Sequence, residues 1–250
     1  MKVLIVGASG MIGGEALIQS LAHPRISSVV AFVRRDLPAE VSDHPKLECV
    51  LVKDFAKWPE DVLQAHADAV GMIWAMGSYT GSLSADLEYP VAFLESMARA
   101  LETQPSRPRF RCIHLSGKFV RQNQEEKLWF LEKPRKIKVW TNPSLTLSQG
   151  LLETRALEFA DNHATVWQTF IVKPGGVVPK KLMAGGVMGM FTGIGAVLGE
   201  NWSIRNEELG VFMTYLAIDG EGEDFLIENS RIVRKGRELL ESQKRRPEFQ

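Results

Sequence analysis

Three glycines at the end of the first apolar run stand where a chain can hold a pyrophosphate: Val3-Leu4-Ile5-Val6-Gly7-Ala8-Ser9-Gly10-Met11-Ile12-Gly13-Gly14. Gly7 would let the chain turn sharply off a strand, Gly10 would let the backbone approach an anion, and Gly13 would let the following helix pack close to the strand. Ser9, Met11 and Ile12 complete a turn whose free N–H groups point at the ligand, as at any helix N-terminus. The alternative is an ordinary glycine turn. A second apolar run, Val29-Val30-Ala31-Phe32-Val33, begins about twenty residues after the motif, which is the context a dinucleotide site needs.

That second run ends in Arg34-Arg35-Asp36. A carboxylate at this point accepts a hydrogen bond from a ribose 2′-hydroxyl, whereas a guanidinium pairs with a 2′-phosphate. Arg34, assisted by Arg35, therefore points to NADP(H), against the alternative of a solvated arginine pair; Asp36 comes late for the usual acid. After the third run, Asp54 and Phe55 could meet the edge and face of an adenine, although Asp54 serves equally as a local cap. After the fourth, Ala75, Met76 and Gly77 are small enough to let a ribose lie on the backbone, or Gly77 simply turns the chain.

On these residues, and on Leu115-Ser116-Gly117, Lys138, Lys173-Pro174-Gly175 and Ile204-Arg205-Asn206-Glu207-Glu208-Leu209, nearly the whole chain resembles the atypical short-chain dehydrogenase/reductases. It resembles in particular their small NmrA-like and Tat-interacting-protein-like branch, known in fungi. The resemblance implies that Ser116 polarises a substrate oxygen and that Lys138 holds the nicotinamide ribose, with Pro174 beside the cofactor. It also implies a Tyr four residues before the Lys as proton donor, and here the chain departs from the pattern. Its tyrosines are Tyr79, Tyr89 and Tyr215, none with Lys at the fourth following position, and Pro134 stands four before Lys138. Trp129 precedes Lys133 at that spacing, but an indole is no useful acid. Val139 to Gln149 also separates Lys138 from Gly150-Leu151-Leu152-Glu153-Thr154. This stretch carries Pro143 and several hydroxyl residues, and reads as an inserted loop or poor helix material.

Positioning such residues at one edge requires alternating strands and helices. Strands are expected at Lys2 to Val6, Ser28 to Val33, Leu47 to Val52, Ala69 to Ala75, Phe110 to Ser116 and Trp167 to Val172. Helices are expected at Ile12 to Leu21, Pro59 to Ala65, Glu88 to Leu101 and Leu151 to Asp161. The expectation is an α/β fold, a doubly wound parallel sheet of the Rossmann type. Residues 1–250 would form one domain, with 175–250 a smaller, helical, substrate-side region. The alternation stops after Pro174. Leu182 to Gly199 is an uncharged stretch with six glycines among eighteen residues, better suited to an apolar lid or a homodimer surface than to a membrane span. A last helix pair is expected at Asn206 to Ile218 and Ser230 to Ser242. His114, two residues from Ser116, falls on the same strand face, as a proton relay or as a buried core histidine.

Composition excludes several classes. With 45% hydrophobic and 24% charged residues the chain is that of a globular protein, not a disordered one. Thirty basic residues balance thirty acidic ones, so no overall field favours nucleic acid. Cys49 and Cys112, the two cysteines, rule out a disulfide scaffold, and no cluster has metal-ligand spacing. Met1 to Val6 shows no signal-peptide pattern, and cytoplasm is the expected compartment. The function expected is NADPH-dependent reduction of a small apolar carbonyl or conjugated enone, in secondary metabolism. A non-catalytic NADP(H)-binding sensor or scaffold, and a redox-neutral isomerase or cyclase with structural NADP(H), are the alternatives.

Overall fold

A computed structural model describes residues 1–78, 82–103, 107–118, 120, 143–179 and 201–245. Seven parallel strands form the main sheet: β1 (Lys2–Val6), β2 (Ser28–Val33), β3 (Leu47–Leu51), β4 (Gly71–Trp74), β5 (Phe110–Leu115), β6 (Trp167–Lys173) and, last in the chain, β9 (Leu226–Glu228). Their order across the sheet is β3-β2-β1-β4-β5-β6-β9. The chain therefore winds outward from β1 to one edge, then returns to β4 and winds to the other. That reversal opens a crevice beyond the carboxyl ends of β1 and β4, where ligands bind in open α/β sheets.

Alternate residues of each strand feed two cores, as the period of two requires. Val3, Ile5, Val29, Ala31, Ile73, Ile113, Phe170 and Val172 face one way. They pack beneath helices α1 (Met11–Ala22), α6 (Asn206–Asp219) and α7 (Asn229–Arg245). Leu4, Val6, Val30, Phe32, Met72, Trp74, Phe110, Cys112 and Ile171 face the other. These are covered by α3 (Glu60–Ala65), α4 (Tyr89–Glu102) and α5 (Pro143–Asn162), while the short α2 (Ala39–Ser42) leads into β3. A parallel sheet buried on both faces accounts for the nearly unbroken apolar runs of β1, β2 and β4. Trp58, Trp74, Phe93, Phe110 and Trp167 form a chain of edge-on and tilted rings through the second core.

Three differences from the sequence-based expectation stand out. Beyond Pro174 the chain still forms strands: β9 extends the main sheet beside β6, and β7 (Gly176–Val178) pairs in parallel with β8 (Ser203–Arg205). All three are only three residues long, too short to show a period. Helix α5 begins at Pro143 rather than Leu151, so the second part of the Val139 to Gln149 stretch is helical and not a break. A proline in the first turn removes an N–H that would have no partner there, and starts a helix as readily as it interrupts one. Finally, a π-helical turn, Ser84–Glu88, leads into α4.

His114 lies 1% exposed in β5. Its Nε2 lies 3.3 Å from Cys112 Sγ, and its Nδ1 has no hydrogen-bond partner among the described residues. Burial pushes its pKa down to about 4, so the ring is neutral and the core reading of this histidine holds. Between about pH 6.5 and about pH 4 the unfolded chain binds a proton that the folded chain refuses, so stability falls on acidification through that window. The loss attributable to His114 is about 3 kcal/mol when complete. Urea denaturation of the wild type and His114→Leu at neutral and mildly acid pH should show a smaller acid-induced loss in the variant, by up to that amount.

Candidate functional site

Gly7 ends β1 with φ +89°, a conformation that costs other residues strain and glycine little. A Cβ there would lie 2.7 Å from the carbonyl carbon and oxygen of Ala75 and 2.8 Å from the Met76 nitrogen. At Gly13, a Cβ would overlap the Gly7 carbonyl. The Gly10 N–H donates to the Gly7 oxygen at 2.9 Å and closes the turn. Gly10 then caps α1 without any side-chain hydrogen bond, and the first turn carries no acidic residue. The N–H groups of Met11, Ile12 and Gly13 are the ones a helix start leaves without intrahelical partners, and Ser9 lies exposed in the same turn. A cradle that lacks Cβ atoms and offers bare N–H groups fits a pyrophosphate. From the other side, the Asn206 side-chain amide donates to the Met11 carbonyl at 3.0 Å and ties the start of α6 to the start of α1.

Arg34 and Arg35 follow β2 directly, both exposed, on the strand paired with β1 in register Val6↔Phe32. Neither makes a hydrogen bond or ion pair among the described residues. Asp54 is exposed, and its Oδ1 accepts from the Ala56 N–H at 2.9 Å, the local cap. Phe55 is 2% exposed with its ring against Trp58, Trp74 and Tyr89. Its side chain thus belongs to the core, and offers no face to an adenine. Ala75 and Met76 are half-buried and Gly77 exposed after β4. Asp86, 2% exposed, accepts on its two carboxylate oxygens from the Ser78 N–H at 2.8 Å and the Ser82 N–H at 2.7 Å.

Ser116 extends β5: its N–H donates to the Val172 carbonyl at 2.9 Å. The hydroxyl donates to Glu153 Oε1 on α5 at 2.5 Å. Glu153, 1% exposed, is held by Lys173 at the end of β6, 3% exposed. Lys173 Nζ lies 2.9 Å from Oε1 and 3.0 Å from Oε2, and donates also to the Val120 carbonyl at 2.8 Å. Two opposite charges sealed from water survive only when they satisfy one another this closely. Pro174 follows, buried, and its carbonyl accepts from the Lys118 N–H at 2.9 Å.

The structure thus gathers the glycine turn, Ala75 to Gly77, Ser116 and Pro174 along the carboxyl ends of β1, β4, β5 and β6. Lys138, Tyr79 and the stretch Leu182 to Gly199 lie outside the described residues. Glu153 and Lys173 were not expected at the site, although a sign of them was present: a lone lysine ends the apolar run Phe170-Ile171-Val172, and a lone glutamate follows Leu151-Leu152 on a core-facing helix stripe. Among the described residues no group of His, Cys, Asp and Glu could hold a metal ion, and no helix is long and apolar enough to cross a membrane.

No protein-family model matches the chain, and no curated protein does. Many solved structures share its fold. An oxidoreductase of the short-chain dehydrogenase/reductase family from Burkholderia thailandensis is 14% identical, with a TM-score of 0.62 over 99% of this chain and 98% of that one. Yeast methylglyoxal/isovaleraldehyde reductase, solved with NADPH, is 16% identical, with a TM-score of 0.59 over 91% and 78% of the two chains. The dTDP-glucose 4,6-dehydratase of Bacillus anthracis, solved with NAD, is 14% identical, with a TM-score of 0.60 over 96% and 81%. Similarity at this level establishes the Rossmann α/β fold.

The buried ion pair sets a stability test. Glu153→Ala strands the Lys173 ammonium, and Lys173→Met strands the carboxylate, so each should cost about 3–5 kcal/mol in urea denaturation. The double variant should lose much less than the sum of the two. Additive losses would show that the two charges do not support one another.

Proposed function

We propose that this chain is an NADPH-dependent reductase of a small, largely apolar carbonyl or conjugated enone, of the atypical NmrA-like kind, acting in the cytoplasm in secondary metabolism. One observation carries the reading: Ser116 and the glycine turn open on the same edge of the sheet, with the Ala75 to Gly77 segment between them. The glycine turn would hold the pyrophosphate on the N–H groups of Met11, Ile12 and Gly13. The exposed Arg34 and Arg35 would pair with a 2′-phosphate, and Lys138 would hold the nicotinamide ribose. When bound, the nicotinamide supplies a hydride.

Ser116 is then the group that meets the reacting oxygen. In an enone, addition at the β-carbon leaves an enolate that a hydrogen bond stabilises and that takes a proton later, so the missing tyrosine matters less than for a ketone. The bond from Ser116 to Glu153, at 2.5 Å, favours a second reading: with its hydroxyl engaged, the site binds NADP(H) without turning it over.

Arg34→Ala tests the cofactor site that both readings share, and Ser116→Ala tests the turnover that divides them. Arg34→Ala should weaken NADPH binding by about 10- to 100-fold, the loss of a charge-assisted bond to phosphate, and leave NADH binding unaltered. Ser116→Ala should lower the rate of NADPH oxidation with cyclic enones and ketones by about 100- to 1,000-fold without weakening NADPH binding. An unchanged rate would remove Ser116 from the reaction.

A further inference from the structure

We propose that Glu153 and Lys173 form a proton-holding pair that acts through Ser116 and supplies a proton in place of the tyrosine that the sequence lacks four residues before Lys138. This rests on the reductase reading above. A carboxylate bound to an ammonium carries no hydrogen of its own, so in the 2.5 Å bond the Ser116 hydroxyl must be the donor and Glu153 Oε1 the acceptor. That leaves the Ser116 oxygen with lone pairs for a ligand. Of the three residues Ser116 alone is partly open, while Glu153 and Lys173 are sealed. Among the described residues, a proton that passes between the pair and a substrate therefore passes through Ser116. Glu153 Oε1 is shared by Ser116 and by Lys173, at 2.9 Å, so the three groups form one unbroken path.

The balance closes for a carbonyl. The reduced nicotinamide loses hydride to the carbonyl carbon and is oxidised; the C=O π bond breaks, and a C–H bond forms. Lys173 passes a proton to Glu153 and ends neutral; Glu153, now the donor, gives that proton to the Ser116 oxygen as the Ser116 hydrogen turns from Glu153 to the substrate oxygen, which takes it. After the alcohol leaves, water returns a proton to Lys173 along the same path. Glu153 and Lys173 touch neither substrate nor cofactor in this scheme; they are positioning and proton-holding residues, and Ser116 is the group in contact with the reacting oxygen.

Lys173→Arg separates this role from a structural one. An arginine keeps the positive charge beside Glu153 but does not give up its proton. In the full-length protein with NADPH and a panel of cyclic ketones and enones, Lys173→Arg should bind NADPH as the wild type does, with KM unchanged and kcat lower by about 100-fold or more. Should the larger arginine fail to fold, Glu153→Gln combined with Lys173→Met removes both charges at once and should show the same split between kcat and KM. Wild-type kcat in either folded variant would overturn the proposal.

If the wild type oxidises NADPH with none of these probes, the reductase reading fails and the proton-supplying role of the pair fails with it. If the wild type oxidises NADPH and a folded Lys173→Arg keeps wild-type kcat, the proton-supplying role fails and the reductase reading stands.

Discussion

Everything at the carboxyl edge of the sheet depends on two missing Cβ atoms. Gly7 presses against the backbone of Ala75 and Met76, and Gly13 against the carbonyl of Gly7. A side chain at either point would push α1 away from β1 or β1 from β4. The same contacts set the segment after β4 alongside the glycine turn, so the shape of the turn and the floor of the cleft are consequences of one close approach. Asn206 extends this constraint to the far end of the chain, because its bond to the Met11 carbonyl fixes the start of α6 on the start of α1.

A second constraint lies across the sheet. Ser116 hangs from β5, Glu153 from α5 and Lys173 from β6, and their hydrogen bonds tie strand to helix to strand. Burying both charges is unfavourable unless they remain paired, so this contact disfavours any rotation of α5 that would separate them. It also settles the direction of the Ser116 hydroxyl, which points at Glu153. A serine in this state accepts from a ligand before it donates to one. The chemistry of the site therefore turns on whether the pair behind it can exchange a proton.

Much of this was legible in the residues. The strands β1, β2 and β4 are nearly unbroken apolar runs, β5 and β6 are largely apolar, and the glycine spacing marks the turn that follows β1. Ser116 could be placed because it closes such a run. The short strands β7, β8 and β9 were not legible, since three residues cannot display a period of two, and their pairing is set by neighbours distant in sequence. Pro143 reads in the sequence as a helix interruption because a proline in the first turn and one in the middle look alike until the helix start is known. Phe55 follows an exposed aspartate and looked available to a ligand, yet the aromatic cluster of Trp58 and Trp74 claims its ring. Glu153 and Lys173 stand 20 residues apart in sequence, on elements whose contact only the fold determines.

The central claim is that the glycine turn and the arginines after β2 form an NADP(H) site at the edge where Ser116 stands. It is tested most directly by titrating the wild-type protein with NADPH and with NADH and following nicotinamide fluorescence. Saturable binding of NADPH, markedly tighter than that of NADH, is the expected result. Equal affinity for the two would contradict the role of Arg34 and Arg35, and no binding of either would contradict the site itself.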